Sequence, residues 1–140
     1  MLVFAVASVF LLWASVVDLK RREIPDGAVL GVLLCALARL LACPGGWAPG
    51  LAGGLSVACL YLFLRWASGG GVGGGDVKLG AAAGLLLGWP ASLLMVGVAS
   101  ATGLLHCLAS RQRGVPLAPH IFLGCLAACL LDLSESLWVF

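Results

Sequence analysis

The sequence predicts an all-α polytopic membrane protein with about six transmembrane helices, one of them short, and with its N-terminus outside. Apolar residues make up 62% of the 140 residues and charged residues only 10%, whereas soluble domains have roughly 45–50% and about 25%. Eight basic and six acidic side chains cannot cover a soluble domain of this size, so most of the surface must face lipid. The apolar runs are continuous rather than alternating, which favours helices over a membrane barrel.

Six apolar segments separated by very short connections account for most of the chain. A spanning helix needs about 20 apolar residues, and the fourth segment is too short to cross the bilayer upright. It would tilt or lie within the protein. If it merges with the fifth segment or fails to cross, the count falls to five or four. The predicted segments are Leu2–Val17, Ala28–Cys43, Leu51–Ala67, Val77–Gly88, Pro90–Leu108 and Leu117–Leu131.

The basic residues predict the orientation. No basic residue precedes the first apolar run, which argues against a cleavable signal peptide. Seven of the eight basic residues fall at the three connections on one side of a six-span topology, and this side is therefore assigned to the cytoplasm. Arg39 is the exception near the outer end of the second segment, where we expect it to snorkel to the interface or, less favourably, to pair inside the bundle. The seven are Lys20, Arg21, Arg22, Arg65, Lys78, Arg111 and Arg113.

Other side chains exclude several classes of function. The net charge is only +2 and no basic stripe is interleaved with aromatic residues, so no nucleic-acid partner is predicted. The six cysteines lie singly in apolar runs and form no C-x-x-C pair, which favours buried hydrophobic roles over a zinc site or disulfides. We interpret His106 and His120 as hydrogen-bonded fillers of the helical bundle.

Acidic residues are rare, and two of them lie at the predicted cytoplasmic membrane boundary. Asp18 ends the first segment and Asp76 opens the fourth. Charged groups close to hydrocarbon are costly and are typical of functional sites, although an Asp at a helix start is often only an N-cap. Asp26 fits the N-cap role before the second segment, while Asp132 and Glu135 belong to the predicted outer tail.

The run Ser68–Gly75 contains six glycines. It is not a phosphate-binding P-loop, because no strand precedes it and no Ser or Thr follows Lys78. What remains is a flexible or tightly turned loop that delivers Asp76 to a helix start, with room for an extended peptide beside it.

Three motifs in these regions resemble the type IV prepilin peptidases, which are membrane aspartic peptidases. Their G-x-G-D-x-K-L motif is matched by Gly73-Gly74-Gly75-Asp76-Val77-Lys78-Leu79. Their first motif, an Asp followed six residues later by Ile-Pro-Asn/Asp, is similar to the stretch from Asp18 to Ile24-Pro25-Asp26. The Pro-rich start of their last helix is similar to Val115-Pro116-Leu117-Ala118-Pro119. The chain lacks the paired-cysteine segment that full-length bacterial members use for methylation, so it looks like a peptidase-only member.

The resemblance implies that residues 1–140 form one transmembrane aspartic peptidase domain in a prokaryotic cytoplasmic membrane. Asp18 and Asp76 would be the catalytic pair, supported by the two motifs, with no metal or cofactor. The substrate would be a prepilin-like precursor with a short basic leader, a Gly before the cut and an apolar helix after it. Glu23 and Asp26 are available to attract that leader, although a local ion pair with the neighbouring basic residues is the favoured interpretation of Glu23 and the N-cap role that of Asp26.

Helix dipoles suggest which aspartate carries the proton. Asp18 at a helix C-terminus meets partial negative charge, while Asp76 at an N-terminus meets partial positive charge with Lys78 nearby. We therefore expect Asp76 to act more often as the base and Asp18 to be more often protonated.

Two other classes of function compete with the peptidase. One is a non-catalytic membrane scaffold or assembly factor that keeps the fold. The other is a small transporter or channel, which is less favoured because the charges cluster at the segment ends and leave no polar lining at mid-membrane depth.

Overall fold

The described part of the chain folds into six α-helices. A computed structural model describes residues 2–110 and 115–138, without the side chains of residues 44 and 132–138. Arg111, Arg113 and the side chains of Asp132 and Glu135 therefore lie outside what is described. No strand occurs in the described ranges, which confirms the all-α class. The elements are α1 (Leu2–Arg21), α2 (Asp26–Ala42), a 3-10 turn (Pro44–Gly46), α3 (Trp47–Ala67), α4 (Gly74–Leu87), α5 (Ala91–Ser110) and α6 (Ala118–Trp138).

Each predicted segment corresponds to one helix, and the differences lie at the ends. Helix α1 continues past Val17 to Arg21, so that Asp18 lies within its last turns. Lys20 and Arg21 stabilise this extension of α1, because positive charges at a helix C-terminus interact favourably with the helix dipole. The backbone of α6 continues beyond Leu131 to Trp138. The sequence prediction was based on hydropathy alone and therefore ended both helices too early, at the last residue of each apolar run.

The helices have the lengths and surfaces of a multi-pass membrane protein. Helices α1, α3 and α5 are each long and apolar enough to cross a membrane, and α6 contains a shorter apolar stretch, Ala118–Leu131. Helix α2 has 17 residues and α4 only 14. At 1.5 Å per residue α4 is about 21 Å long, against a hydrocarbon core of about 30 Å, which confirms the short fourth helix. Many large apolar side chains are exposed, as expected where lipid is the solvent.

Helix α4 lies at the centre of the bundle. It packs against α2, α3, α5 and α6, while α1 packs against α2 and α6. Its closest neighbour is α3, because Gly53 and Gly84 face each other. A Cβ built on Gly84 would lie 2.7 Å from the Gly53 carbonyl oxygen. Paired glycines of this kind let two membrane helices approach to backbone contact.

Arg39 does not snorkel away from the bundle. Its Nη1 donates a hydrogen bond to the carbonyl oxygen of Leu86 at 2.5 Å, and its guanidinium carbon lies 5.6 Å from the centroid of the Phe4 ring. The alternative expectation, a contact inside the bundle, therefore holds for this residue. The reason is that the last carbonyls of α4 have no partner within their own helix and accept an external donor.

The Gly53–Gly84 contact predicts a large effect of adding a side chain there. We expect Gly84→Val to lower the free energy of unfolding by about 1–3 kcal/mol, because the new Cβ meets backbone that cannot move aside. Gly97→Val on α5 is the matched control, since a Cβ at Gly97 would meet nothing within 4 Å. Denaturant unfolding of both variants in detergent checks this, and equal losses of stability would contradict the proposed close approach.

Candidate active site

Asp18 lies in the last turn of α1 and is only 5% exposed. Its Oδ2 accepts a hydrogen bond of 3.1 Å from the backbone N–H of Ala118. The helix ends just beyond, where the N–H of Arg22 bonds to the carbonyl oxygen of Asp18 and Arg22 adopts a left-handed φ of 55°. The buried carboxylate is thus held by a group from the opposite end of the chain.

The donor to Asp18 is the first residue of α6. The first N–H groups of a helix have no partner within it, and together they carry the positive end of the helix dipole. Pro119 follows Ala118 and has no N–H, so it removes one further unpaired donor. Asp18 therefore faces the positive end of α6 as well as the negative end of its own helix, and the sequence-based expectation considered only the second.

Asp76 is the third residue of α4, and its two carboxylate oxygens differ. Oδ2 accepts a hydrogen bond of 3.2 Å from the N–H of Gly73, the N-cap residue, which is the backward half of a capping box. Oδ1 is buried and has no hydrogen-bond partner among the described residues. The capping interpretation of Asp76 is therefore correct for one oxygen and leaves the other available.

Burial and a neighbouring charge shift the titration of Asp76, which precedes the apolar run of α4. Burial, and next the negative charge of Asp18, raise the pKa of Asp76 to about 6, while the hydrogen bond from Gly73 acts in the opposite direction. A carboxyl group destabilised in its charged form by a second carboxylate is typical of a pair that shares one proton. Asp76 therefore releases its proton less readily than a free carboxyl group does, although the helix dipole alone would have the opposite effect.

Asp18 and Asp76 line one polar cavity of about 350 Å³. The structure thereby brings the first motif and the glycine motif together. Two supporting residues lie elsewhere, since Leu79 is fully buried in the core and Pro25 is the N-cap of α2. The other lining residues are Arg22, Glu23, Ile24, Asp26, Gly73, Gly74, Gly75 and Lys78.

Gly73 and Gly75 lie close to side chains of the two aspartate motifs. A Cβ on Gly73 would lie 2.9 Å from Oδ2 of Asp76, and a Cβ on Gly75 would lie 3.0 Å from Cβ of Ile24. The first contact would shift the capping carboxylate, and the second would move Ile24 or the start of α4 by a few tenths of an ångström. Glycine at these two positions therefore lets Asp76 approach the first motif.

Asp26 is not the N-cap of α2, as the sequence had predicted. Pro25 takes the N-cap position in an extended conformation, and its carbonyl oxygen accepts the N–H of Ala28. Asp26 is instead the first helical residue, where the helix dipole still favours a carboxylate. Its Oδ1 lies 3.4 Å from Nζ of Lys78 in an exposed ion pair, so Lys78 is directed towards Asp26.

The glycine-rich loop is braced by two residues that the sequence did not single out for this role. Nη1 of Arg65 donates to the carbonyl oxygen of Val72 at 2.7 Å, and Oγ of Ser68 accepts from the N–H of Gly71 at 3.0 Å. Gly69 and Gly70 take positive φ values of 61° and 96°, which glycine adopts without strain. The loop is therefore tightly turned. The position of Arg65 in the last turn of α3, next to the loop, was the one feature of the sequence that could have indicated this contact.

The two histidines bind each other. Nδ1 of His106 lies 3.2 Å from Nε2 of His120, whose Nδ1 lies 3.0 Å from Oγ1 of Thr102. Neither histidine lines the cavity that contains the aspartates, so both fit the structural role expected from the sequence. The described part of the chain contains no cluster of three or more His, Cys, Asp or Glu side chains that could hold a metal ion.

Comparisons with known proteins agree with this arrangement. No curated protein and no solved structure matches the chain significantly. A family model described as the type IV leader peptidase family matches residues 5–108. This range contains both aspartates, both motifs and five of the six helices almost completely. Because the match covers well over half of the sequence, this multi-pass membrane protein belongs to the type IV leader peptidase family.

Proposed function

We propose that this protein is an aspartic endopeptidase of the prokaryotic cytoplasmic membrane that removes the short basic leader from type IV prepilin-like precursors. The cavity between α1, α4 and the loops beside them is its active site, on the cytoplasmic face. Family membership supports a peptidase, and the shared cavity of the two aspartates supports the aspartic type.

One observation carries this proposal. Asp76 has one oxygen fixed by Gly73 and a second, buried oxygen with no hydrogen-bond partner among the described residues, while the charge of Asp18 acts on the same carboxyl group. A purely structural carboxylate would be expected to use both oxygens, because an unsatisfied buried acceptor costs about 1–3 kcal/mol. The free oxygen is suited to a proton, a water molecule or a substrate carbonyl.

The chemistry follows from a pair that shares one proton. The ionised carboxylate removes a proton from a water molecule, whose oxygen attacks the scissile carbonyl carbon, while the protonated carboxyl donates to the carbonyl oxygen. The tetrahedral diol then collapses, the C–N bond breaks, and a proton passes to the leaving nitrogen. We assign the acid of the first step to Asp76, because its raised pKa keeps a larger share of it protonated than of a free carboxyl group, and this leaves Asp18 as the base.

Charges of both signs line the mouth of the cavity. Glu23 and Asp26 are exposed there and offer negative charge to a basic leader outside the membrane, while Arg22 and Lys78, the ion-pair partner of Asp26, balance part of it. Asp76 lies just before the apolar run of α4 and Asp18 just after that of α1, which suits a substrate whose leader is in water and whose apolar helix is in lipid.

Replacing either aspartate tests the proposed function. We expect Asp18→Asn and Asp76→Asn each to lower the rate of leader removal by about 10²–10⁴-fold, because each removes one proton-transfer group. The substrate is a model precursor with a basic leader, a Gly before the cut and an apolar helix after it, analysed by its mass. Asp132→Asn is the control, since residue 132 lies 14 residues beyond Ala118, about 21 Å along α6. Full activity in either active-site variant would contradict the assignment of the two aspartates as the catalytic pair.

The pair of aspartates also predicts a titration. We expect the infrared band of a protonated carboxyl group to disappear as the pH rises through about 6, and to be absent in Asp76→Asn. In Asp18→Asn the midpoint should move to lower pH, because the charge that raises the pKa of Asp76 is gone. An unchanged midpoint in Asp18→Asn would show that the two carboxyl groups do not interact.

Stability should depend on pH for the same reason. The pKa of Asp76 is raised from 3.8 to about 6 in the folded protein, so between these values the folded state keeps a proton that the unfolded state releases. Wild-type stability therefore falls as the pH rises from about 4 to 6 and stays reduced above that range. Asp76→Asn keeps an oxygen for Gly73, and its thermal unfolding temperature should exceed that of the wild type at pH 7.5. A difference that does not shrink towards pH 4 would contradict this linkage.

A further inference from the structure

A second cavity, an apolar groove of about 450 Å³, runs along α4 between α2 and α3. Its lining includes Leu33 from α2, Gly54 and Ala58 from α3, and Ala81 and Leu85 from α4. Lys78 is the only charged residue in its lining, at the end where α4 begins. The groove is distinct from the polar cavity of the aspartates.

The groove exists because α2 and α3 each pack against α4 without packing closely against each other. Between Val77 and Leu87 every residue of α4 is buried except Lys78, Ala81 and Leu85. These three follow the i, i+3, i+7 spacing of one helix face, and all three line the groove. Between Val77 and Leu87, the central helix α4 is therefore accessible only along the face that carries these three residues.

The groove continues directly from the candidate active site. Lys78 lines both the groove and the cavity that contains Asp18 and Asp76. A peptide whose scissile bond lies at the aspartates would therefore pass Lys78 and continue along α4 between α2 and α3. The Lys78 ammonium marks the point at which the polar cavity gives way to an apolar surface.

We propose that this groove binds the apolar helix that follows the scissile bond of the substrate, so that α2, α3 and α4 form a membrane-embedded docking surface. The proposal rests on the proposed function and adds a binding surface to it. The small side chains of Gly54, Ala58 and Ala81 allow a second helix to approach closely, which stabilises helix pairs in lipid. The stripe from Lys78 to Leu85 is about 10 Å long, or two helical turns.

Continuity with the catalytic cavity favours a substrate helix over bulk lipid as the occupant. The lining from Ala81 to Leu85 offers no hydrogen-bonding side chain, so recognition there depends on apolar character and shape. The groove accordingly contributes affinity for an apolar helix, whereas the cavity determines which peptide bond is cut.

Crosslinking tests the occupant without requiring cleavage. A photoreactive benzoylphenylalanine replaces Ala81 or, as the control, Ala101, which is exposed on α5 away from the groove. Both proteins carry Asp76→Asn and are reconstituted with the model precursor. We expect an adduct between residue 81 and the apolar helix of the precursor and none from residue 101. Equal adducts from both positions, no adduct from 81, or adducts with lipid alone would overturn the proposal.

Cleavage kinetics separate this proposal from the proposed function. Ala81→Leu fills the groove, and we expect it to lower kcat/KM by about tenfold or more for the membrane-anchored precursor. It should leave unchanged the cleavage of a soluble peptide that has the same leader and scissile bond but polar residues after the cut. Ala101→Leu is the matched control. If Ala81→Leu does not fold, Ala58→Leu replaces it, because Ala58 lines the same groove from α3.

The outcomes of this experiment are distinct. Equal losses on both substrates, or no loss on either, would overturn the docking surface while the peptidase activity remains. A wild-type protein that cleaves neither substrate would contradict the proposed function itself. If the wild-type protein cleaves the membrane-anchored precursor but not the soluble peptide, the crosslinking result at residue 81 decides whether the groove binds the apolar helix.

Discussion

The hydrogen bond from Ala118 N–H to the Asp18 carboxylate is the interaction on which the site depends. A carboxylate at the buried end of a membrane helix is costly unless a donor satisfies it. The first N–H groups of a helix need an acceptor for the same reason. One bond meets both needs and joins α1 to α6 across 100 positions of the sequence. The orientation of Asp18 is therefore fixed by a helix beyond the region that the family model matches.

The position of Asp76 is fixed by the packing of α4. The backbone contact of Gly84 with Gly53 sets how α4 lies against α3, and Arg39 binds the carbonyl oxygen of Leu86 near the other end of the helix. Because α4 is short, these contacts lie only a few turns from Asp76. At its start, the contact between Gly75 and Ile24 brings the helix against the turn after α1.

Continuous apolar runs made all six helices predictable from the sequence, and resemblance to a family predicted the pairing of Asp18 with Asp76. The errors have physical causes. Hydropathy ended α1 at Val17 because it does not register the favourable effect of Lys20 and Arg21 on a helix C-terminus. The donor to Asp18 was missed because a backbone N–H has no side-chain signature. The raised pKa of Asp76 was missed because burial and the approach of a second helix depend on tertiary structure.

The capping role of Asp76 supports the catalytic role that we propose for it. A catalytic carboxylate needs one orientation, and the bond from Gly73 to Oδ2 supplies it with a backbone donor that adds no competing charge. A Cβ on residue 73 would lie 2.9 Å from Oδ2 and would require this carboxylate to shift. With Oδ2 fixed, Oδ1 is left buried beside the charge of Asp18 and ready to hold a proton. The spacing of the glycine motif thus has a local origin, in which the first glycine orients the acid and the second admits the neighbouring motif.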